Sequence, residues 1–211
     1  GSWQPAATTL VAADQRLSGT KHYVLDGHVA DCILVLARDT DTGALSIYRV
    51  DGAATGLTRT PLSVLDRSRR LAMLRFDNTP ATRLGIAGRA EEVMDRVLVT
   101  ATIALANEMI GGAGQMLDSA LAYTKLRAQF GRKIASFQAI KHRLADLLLE
   151  VELARSAAYY AAAAADAGDP NLPALASLAK SACAEAYMHA AAECIQLHGG
   201  IGFTWDNDTH L

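Results

Sequence analysis

The sequence is poor in the features that mark several common protein classes. Its 211 residues contain three cysteines, Cys32, Cys183 and Cys194, an odd number without CxxC spacing, so neither a disulfide framework nor a thiolate metal site is expected. No apolar run reaches the roughly 18–20 residues of a bilayer span, and the first residues do not resemble a signal peptide. These absences predict buried, reduced thiols, a cytoplasmic location and no membrane partner.

The sequence also lacks a large excess of positive or negative charge. The chain carries 20 Lys and Arg against 22 Asp and Glu, a formal net charge of −2. A balance this close to neutral gives no electrostatic reason to expect an anionic membrane or nucleic acid as a partner. We therefore predict no nucleic-acid partner.

Motifs of the common catalytic classes are missing from the sequence. There is no GxGxxG, Walker lysine loop, GxSxG or HExxH, which argues against the usual nucleotide, hydrolase and zinc-protease sites. Di-metal sites in helical bundles use Glu-x-x-His, whereas Glu185 and His189 are four residues apart. Solvated helix faces with i,i+4 pairs explain such charges better, so no metal site is expected.

The chain has two halves with different patterns. Residues 1–88 contain short apolar runs separated by turn signals such as Asp26-Gly27 and Asp51-Gly52, which predict strands. The predicted strands include 23–25, 33–37, 45–50 and 71–76. Residues 89–211 are rich in Ala, Leu, Met, Glu and Lys with apolar residues at three- and four-residue spacing, which predicts helices. The expected class is α+β, with a small antiparallel sandwich or barrel followed by an antiparallel helical bundle.

We predict three helices in the second half, at about 90–128, 136–168 and 171–197. Ser136 is a candidate N-cap for the second helix, and Gly168-Asp169-Pro170 would end it. The pair Gly199-Gly200 would end the third helix.

One stretch, Lys125 to Lys133, combines cations, an aromatic residue and glycine. It has two interpretations from the residues alone. The first is an ordinary helix C-terminus, where Lys and Arg favour the helix dipole and Gly provides the cap. The second is an anion-binding corner, in which Arg127 and Arg132 grip a diphosphate and Phe130 packs on a planar ring.

A glycine pair later in the chain offers a second part for such a corner. Gln196 and the Gly199-Gly200 backbone can approach a ligand closely and donate uncharged hydrogen bonds. The neighbouring His198 is better explained as a packed, hydrogen-bonded histidine than as a ligand.

Two motifs together resemble the signatures of the acyl-CoA dehydrogenase family. The first is Tyr123-x-x-x-Arg127-x-Gln129-Phe130-Gly131, followed by Phe137-Gln138; the second is Gln196-x-His198-Gly199-Gly200-x-Gly202. The segment from Leu17 to Gly27 is similar, more weakly, to the family's middle-domain strand pair. The resemblance covers essentially the whole chain.

That resemblance implies a domain plan and a cofactor. Residues 1–88 would be the family's middle β domain, and 89–211 its C-terminal bundle without the final helix, with the N-terminal helical domain absent. Family members bind FAD across a subunit interface and dehydrogenate acyl-CoA thioesters with a glutamate base. The residues implied to contact the ADP part of FAD are Arg127, Gln129, Phe130, Phe137, Gln138, Gln196, Gly199 and Gly200.

The sequence departs from the family at the flavin and substrate end. Where some members carry the catalytic glutamate, this chain has Ala101 and Thr102, and the nearby CoA-binding arginine is also missing. Tyr23 replaces the usual tryptophan, and Leu25 replaces a threonine that donates to the flavin. A loop similar to the family's Gly-Ser-Asp has Trp3 after Ser2.

These changes lead to a hypothesis of a non-catalytic subunit, so no catalytic residue is assigned. The chain would complete the FAD site of a partner in a heteromeric (α2β2) acyl-CoA dehydrogenase of the actinobacterial steroid-catabolism type, with electron-transfer flavoprotein as a further partner. The alternatives are a homomeric dehydrogenase whose glutamate lies beyond residue 211 and a helical scaffold that has lost the cofactor. The acyl-CoA substrate itself is not named by the sequence.

Overall fold

The chain divides into two compact units, with the boundary between Arg96 and Val97. A computed structural model describes residues 4–66 and 68–210. The departures noted at Ser2 and Trp3 lie outside the described residues. The fold class is α+β, and the division predicted at residue 88 remains a prediction.

The first unit is built on one seven-stranded sheet with the order β5-β6-β2-β1-β3-β4-β7. Its strands are β1 (Val11–Ala13), β2 (Arg16–Leu25), β3 (Cys32–Asp39), β4 (Leu45–Asp51), β5 (Leu57–Pro61), β6 (Leu71–Pro80) and β7 (Thr82–Leu84). The four predicted strand segments lie within β2, β3, β4 and β6.

The sheet is mixed rather than purely antiparallel, which corrects one detail of the prediction. All neighbouring strands pair antiparallel except β1 and β3, which are parallel. The short strand β1 turns back into β2 through Asp14 and Gln15, whose φ angles of 48° and 57° suit a two-residue hairpin turn. Because β1 then lies between β2 and β3, it is antiparallel to one and parallel to the other.

Alternate side chains along the strands are apolar, and together they form one buried face of the sheet. In β3 the alternate residues Ile33, Val35 and Ala37 are buried, and Leu74 and Phe76 of β6 join the same core. This period of two is the expected pattern for a strand with one buried face.

A carboxylate is buried beside this core and is held by hydroxyl groups. Asp39 accepts a 2.6 Å hydrogen bond from Ser46 Oγ and a short one from the Tyr48 hydroxyl. Burial, followed by the bond to Asp39, raises the pKa of Tyr48 to about 12. Tyr48 is 3% exposed, so its hydroxyl stays protonated in the folded protein well above the usual range.

The raised pKa of Tyr48 predicts alkaline sensitivity. An unfolded tyrosine ionises near pH 10, so the contribution to stability is complete below that pH and is lost as the pH rises towards about 12. The free energy of unfolding should fall by up to about 1.4 kcal/mol per pH unit in this window. Tyr48→Phe should remove this part of the pH dependence in denaturant titrations.

Tyr159→Phe provides the control, because Tyr159 is exposed and should leave the alkaline slope unchanged. Equal slopes for wild type and Tyr48→Phe between pH 10 and about pH 12 would contradict the assigned role of Tyr48.

The second part of the chain is helical and confirms the three predicted helices. They are α1 (Ala90–Leu126), α2 (Gln138–Ala167) and α3 (Leu172–His198). Gly168 ends α2 with a φ of 66°, as its position suggests. Ser136 is not the N-cap of α2; its hydroxyl donates to the Lys133 carbonyl instead, because it ends a 3-10 turn at Ile134–Ser136 and Phe137 occupies the cap position.

Small residues let the three helices pack closely. The bundle core contains Ala106 and Ala113 of α1, Leu147 and Val151 of α2, and Ala186 of α3. Cys183 and Cys194 are buried there, and burial raises the pKa of the Cys183 thiol. Cys32 is exposed, so the prediction of buried thiols was wrong for that residue. Cys32 is the first residue of β3, where the alternation along the strand places its side chain on the face away from the core.

One of the described helices, α1, is long and apolar enough to cross a membrane by length and composition alone. Its most apolar 18-residue window has a mean hydropathy of 1.4 and is 22% buried. A single such helix is weak evidence for a span. Ile103, Ala106 and Ile110 of this helix pack in the bundle core, which gives its apolar residues a role inside the protein.

Candidate functional site

The segment after α1 is a tight hairpin, not the end of a longer helix. Ala128–Gln129 (β8) pairs with Arg132–Lys133 (β9). The turn residues Phe130 and Gly131 have φ angles of 53° and 74°. Sequence reasoning extended the helix to 128 and missed this hairpin, because two-residue strands leave no periodic pattern.

The hairpin is tied to the end of α1 by its backbone. Arg127 N donates to Tyr123 O at 2.8 Å, and Ile134 N donates to Arg127 O at 2.9 Å. Lys133 Nζ donates to Leu126 O at 2.6 Å, which places a cation at the negative end of the helix dipole. Lys133 therefore makes the favourable interaction with the helix dipole that the first interpretation of the basic stretch predicts. The Arg127 side chain is not needed for that interaction.

An aromatic pair lies at the hairpin tip. The Phe130 and Phe137 rings meet edge to face, with centroids 6.2 Å apart, and the Arg132 guanidinium lies 3.9 Å from the Phe137 centroid. Arg132 thus stacks on Phe137. Phe130 is 91% exposed and has a positive φ, a costly combination for a bulky apolar residue. The hairpin therefore holds the Phe130 ring in an exposed position, available for contact with a ligand or another subunit.

The end of α3 forms the second part of the site. His198 stacks on Tyr123 of α1, with ring centroids 4.3 Å apart. Its Nδ1 lies 2.7 Å from the Cys194 carbonyl, and because a carbonyl only accepts, Nδ1 carries the proton. The predicted packed, hydrogen-bonded role of His198 is confirmed. The stack joins the ends of α1 and α3.

Glycines allow the chain to turn sharply after this stack. Gly199 ends α3 with a φ of 63°, a conformation that disfavours side chains with Cβ. A Cβ on Gly202 would collide with the backbone oxygen of Ile195. These two positions explain why glycine is required in the second motif.

Together the hairpin and the glycine turn enclose a cavity of about 420 Å³. Its lining residues are Tyr123, Arg127, Gln129, Ile134, Leu197, His198, Gly199, Gly200 and Ile201. The structure therefore brings Arg127, Gln129, Gly199 and Gly200 together. Phe130, Phe137, Gln138 and Gln196 lie outside the lining set; Gln138 instead pairs with His142, at 3.3 Å between side-chain nitrogens.

A second cavity of about 320 Å³ is also lined by the stacked rings. It shares Tyr123, His198 and Ile201 with the first cavity and adds polar residues of the last segment, including Asp206 and Asp208. Sequence reasoning did not assign Ile134, Leu197 or Ile201 to a site, because isolated apolar residues of a helical region look like core positions.

The positions where some family members carry a base contain no carboxylate. The Thr102 hydroxyl donates to the Leu98 carbonyl at 2.7 Å, and the neighbouring Ile103 is buried in the bundle core. In the other unit, Tyr23 and Leu25 are exposed. Among the described residues, no group of three or more His, Cys, Asp or Glu side chains is arranged to hold a metal ion.

The 420 Å³ cavity fits the ADP part of FAD in its chemistry. Its charged side chain is the Arg127 guanidinium, which matches phosphate oxygens. Gln129 and the Gly199-Gly200 backbone add uncharged polar groups, and Ile134, Leu197 and Ile201 form apolar walls. A cavity that combines apolar walls with a few convergent polar groups is typical of a small-molecule site.

Comparisons with known proteins identify a family whose sequences match the chain. The family model described as acyl-CoA dehydrogenase, C-terminal domain, matches residues 91–211. Acyl-CoA dehydrogenase IpdE2 of Mycobacterium tuberculosis is 39% identical over 191 residues, 90% of this chain and 52% of that protein. The chain thus spans about half the length of this relative.

Solved structures show the same similarity. Butyryl-CoA dehydrogenase from Megasphaera elsdenii matches with a TM-score of 0.88 and 25% identity, over 95% of this chain and 55% of that one. A variant of the Tcur3481-Tcur3483 steroid acyl-CoA dehydrogenase matches with a TM-score of 0.80 and 33% identity, over 95% and 54% of the two chains.

Proposed function

Since the chain belongs to the acyl-CoA dehydrogenase family, whose members are FAD-dependent flavoproteins, we propose that it binds the ADP part of an FAD shared with a partner subunit. In this proposal the chain is the non-catalytic subunit of a heteromeric, α2β2-type acyl-CoA dehydrogenase. The partner would supply the flavin pocket, the base and the acyl pocket.

The observation that carries the proposal is the contrast between the two ends of the site. Arg127, Gln129 and Gly199 converge on one cavity, whereas the positions where some family members carry the base hold Ala101 and Thr102, and the Thr102 hydroxyl bonds to its own helix. Neither an alanine nor a threonine bonded to its own helix can remove an α-proton. The chain is therefore equipped to hold a cofactor better than to act on a substrate.

The polar residues of the cavity and the aromatic residue at the hairpin tip have distinct tasks in this proposal. Arg127 neutralises a diphosphate through charge-assisted hydrogen bonds. Gln129 and the glycine backbone orient the adenosine, while Phe130 covers a planar group from the hairpin tip. When bound, FAD supplies the redox chemistry of the dehydrogenation.

The substrate and the electron acceptor are also proposals. A CoA ester derived from a steroid is supported by the similarity to a steroid acyl-CoA dehydrogenase. A flavin reduced by dehydrogenation must be reoxidised, and we propose an electron-transfer flavoprotein for that step. The partly exposed apolar residues of α1, such as Leu105 and Val97, support association with another subunit.

Purification of the chain alone and with its co-expressed partner tests the proposal. The isolated chain should hold little FAD and show no acyl-CoA dehydrogenation, whereas the complex should hold FAD and be active. Stoichiometric FAD with full activity in the isolated chain would rule out the proposed division of labour. A complex without any flavin absorbance would instead indicate a scaffold that has lost the cofactor.

A further inference from the structure

A separate cavity of about 250 Å³ lies in the sheet unit, between the β5–β6 loop and the turn after β2. Its lining residues are His28, Pro61, Leu62, Ser63, Val64, Arg69, Arg70 and Leu71. None of them belongs to the predicted FAD set. The function proposed above does not use this cavity. A role for the cavity is therefore independent of that function.

Backbone hydrogen bonds hold both rims of this cavity in place. Leu62 N donates to Leu71 O at 2.9 Å, which closes the base of the β5–β6 loop. Asp26 N donates to Arg70 O, also at 2.9 Å, which ties the turn after β2 to the same loop. These two bonds fix the backbone at three lining residues, Leu62, Arg70 and Leu71.

One lining residue, His28, has a polar side-chain atom that lacks a partner among the described residues. The Nδ1 atom of His28 is buried, and the described part of the chain offers it no hydrogen-bond partner. Buried polar atoms in folded proteins are nearly always paired with protein, water or ligand. An unpaired ring nitrogen is therefore an unusual feature of this lining residue.

The charge around the cavity favours an anion. Two guanidinium groups, Arg69 and Arg70, line it together with the Ser63 hydroxyl, and no lining residue carries a carboxylate. Asp66 lies on the same loop, but it accepts hydrogen bonds from the Ser68 backbone and hydroxyl. These bonds, and then the charge of Arg69, lower the pKa of Asp66. One carboxylate beside two guanidinium groups leaves the cavity positive.

The size and donor set together define the class of ligand. A volume of about 250 Å³ lies below the roughly 300–1,000 Å³ of pockets for drug-sized ligands. Two guanidinium groups offer donors for the several oxygens of a tetrahedral phosphate. A single carboxylate ligand would not need so many donors. We propose that this cavity binds a phosphate group, as inorganic phosphate or as the end of a short phosphate ester.

Chemical modification of His28 tests this site in the intact protein. Diethyl pyrocarbonate labels accessible imidazoles, and peptide mass spectrometry reports the labelling rate at each histidine. Inorganic phosphate and methyl phosphate, titrated separately, should slow labelling of His28 and leave the exposed His22 unchanged. Protection by methyl phosphate at lower concentration than by inorganic phosphate would identify an ester as the better ligand.

Two arginine variants make the test specific. Arg70→Gln should weaken phosphate protection of His28 by roughly 10- to 100-fold, the usual effect of losing a charged hydrogen bond. Its backbone bond to Asp26 stays intact. Arg75→Gln removes the same charge from an exposed position of β6 outside the cavity and should leave protection unchanged.

The proposal fails if neither anion protects His28 in the wild type. It also fails if sodium chloride at equal ionic strength protects His28 as well, or if protection is undiminished in Arg70→Gln. Because the readout is labelling of one histidine, it is independent of FAD content and of dehydrogenase activity.

Discussion

Arg127→Gln is expected to weaken FAD binding by the assembled enzyme by roughly 10- to 100-fold, the effect of removing a charge-assisted hydrogen bond to a diphosphate. Arg127 lines the 420 Å³ cavity, and its backbone already makes the bonds that fix the hairpin. The substitution therefore removes the guanidinium without removing the structure that carries it. Titration of the flavin-free complex with FAD, followed by flavin fluorescence, measures the change in dissociation constant.

Arg155→Gln is the matched control for this experiment. Arg155 pairs with Glu152 on the surface of α2 and does not line the cavity, so FAD affinity should remain at the wild-type value. If Arg127→Gln binds FAD as tightly as Arg155→Gln, the diphosphate is held elsewhere and the proposed role of the hairpin is wrong.

Leu147→Ala is expected to lower the free energy of unfolding of the bundle by about 2–5 kcal/mol, the range for removing a buried leucine from a packed core. Leu147 is 0% exposed and lies among the alanines that bring the three helices together. Neighbouring side chains in this core cannot easily fill the space that the leucine leaves, because alanine side chains have no other rotamer to adopt. Urea unfolding followed by circular dichroism measures the shift in midpoint.

Leu149→Ala is the control in the same helix, two residues away. Leu149 is 60% exposed, so its truncation should cost well under the core value, within about 0.5 kcal/mol for an ordinary surface position. Similar losses in the two variants would mean that Leu149 is also covered, as it would be in an oligomer that persists through the measurement. Repeating the comparison at several protein concentrations separates these cases.

The long helices were predictable because the same helical periodicity repeats over many residues in each of them. Over the 37 residues of α1, the apolar spacing and helix propensity point the same way. The three-residue strands β1 and β7 and the two-residue strands of the hairpin are different. They are too short to show a period of two, so no local pattern marks them.

The candidate site was partly predictable for a similar reason. Arg127 and the glycine pair were assigned because their residue types suit phosphate and close backbone approach, whereas Gln129 was assigned through the resemblance to the family. The stack of His198 on Tyr123 depends on where α1 and α3 meet. The position of Phe130 at a turn with positive φ depends on the hairpin register. Neither relation can be read from the residue types alone.

The exposed ring of Phe130 has a consequence for how a cell must produce this chain. Phe203 and Trp205, near the glycine turn, are also mostly uncovered. Aromatic surface that lacks its cover favours self-association and attracts the chaperones and proteases that remove unfinished proteins. If the proposed partner subunit covers this end of the bundle, the synthesis of the chain should be balanced with the synthesis of that partner.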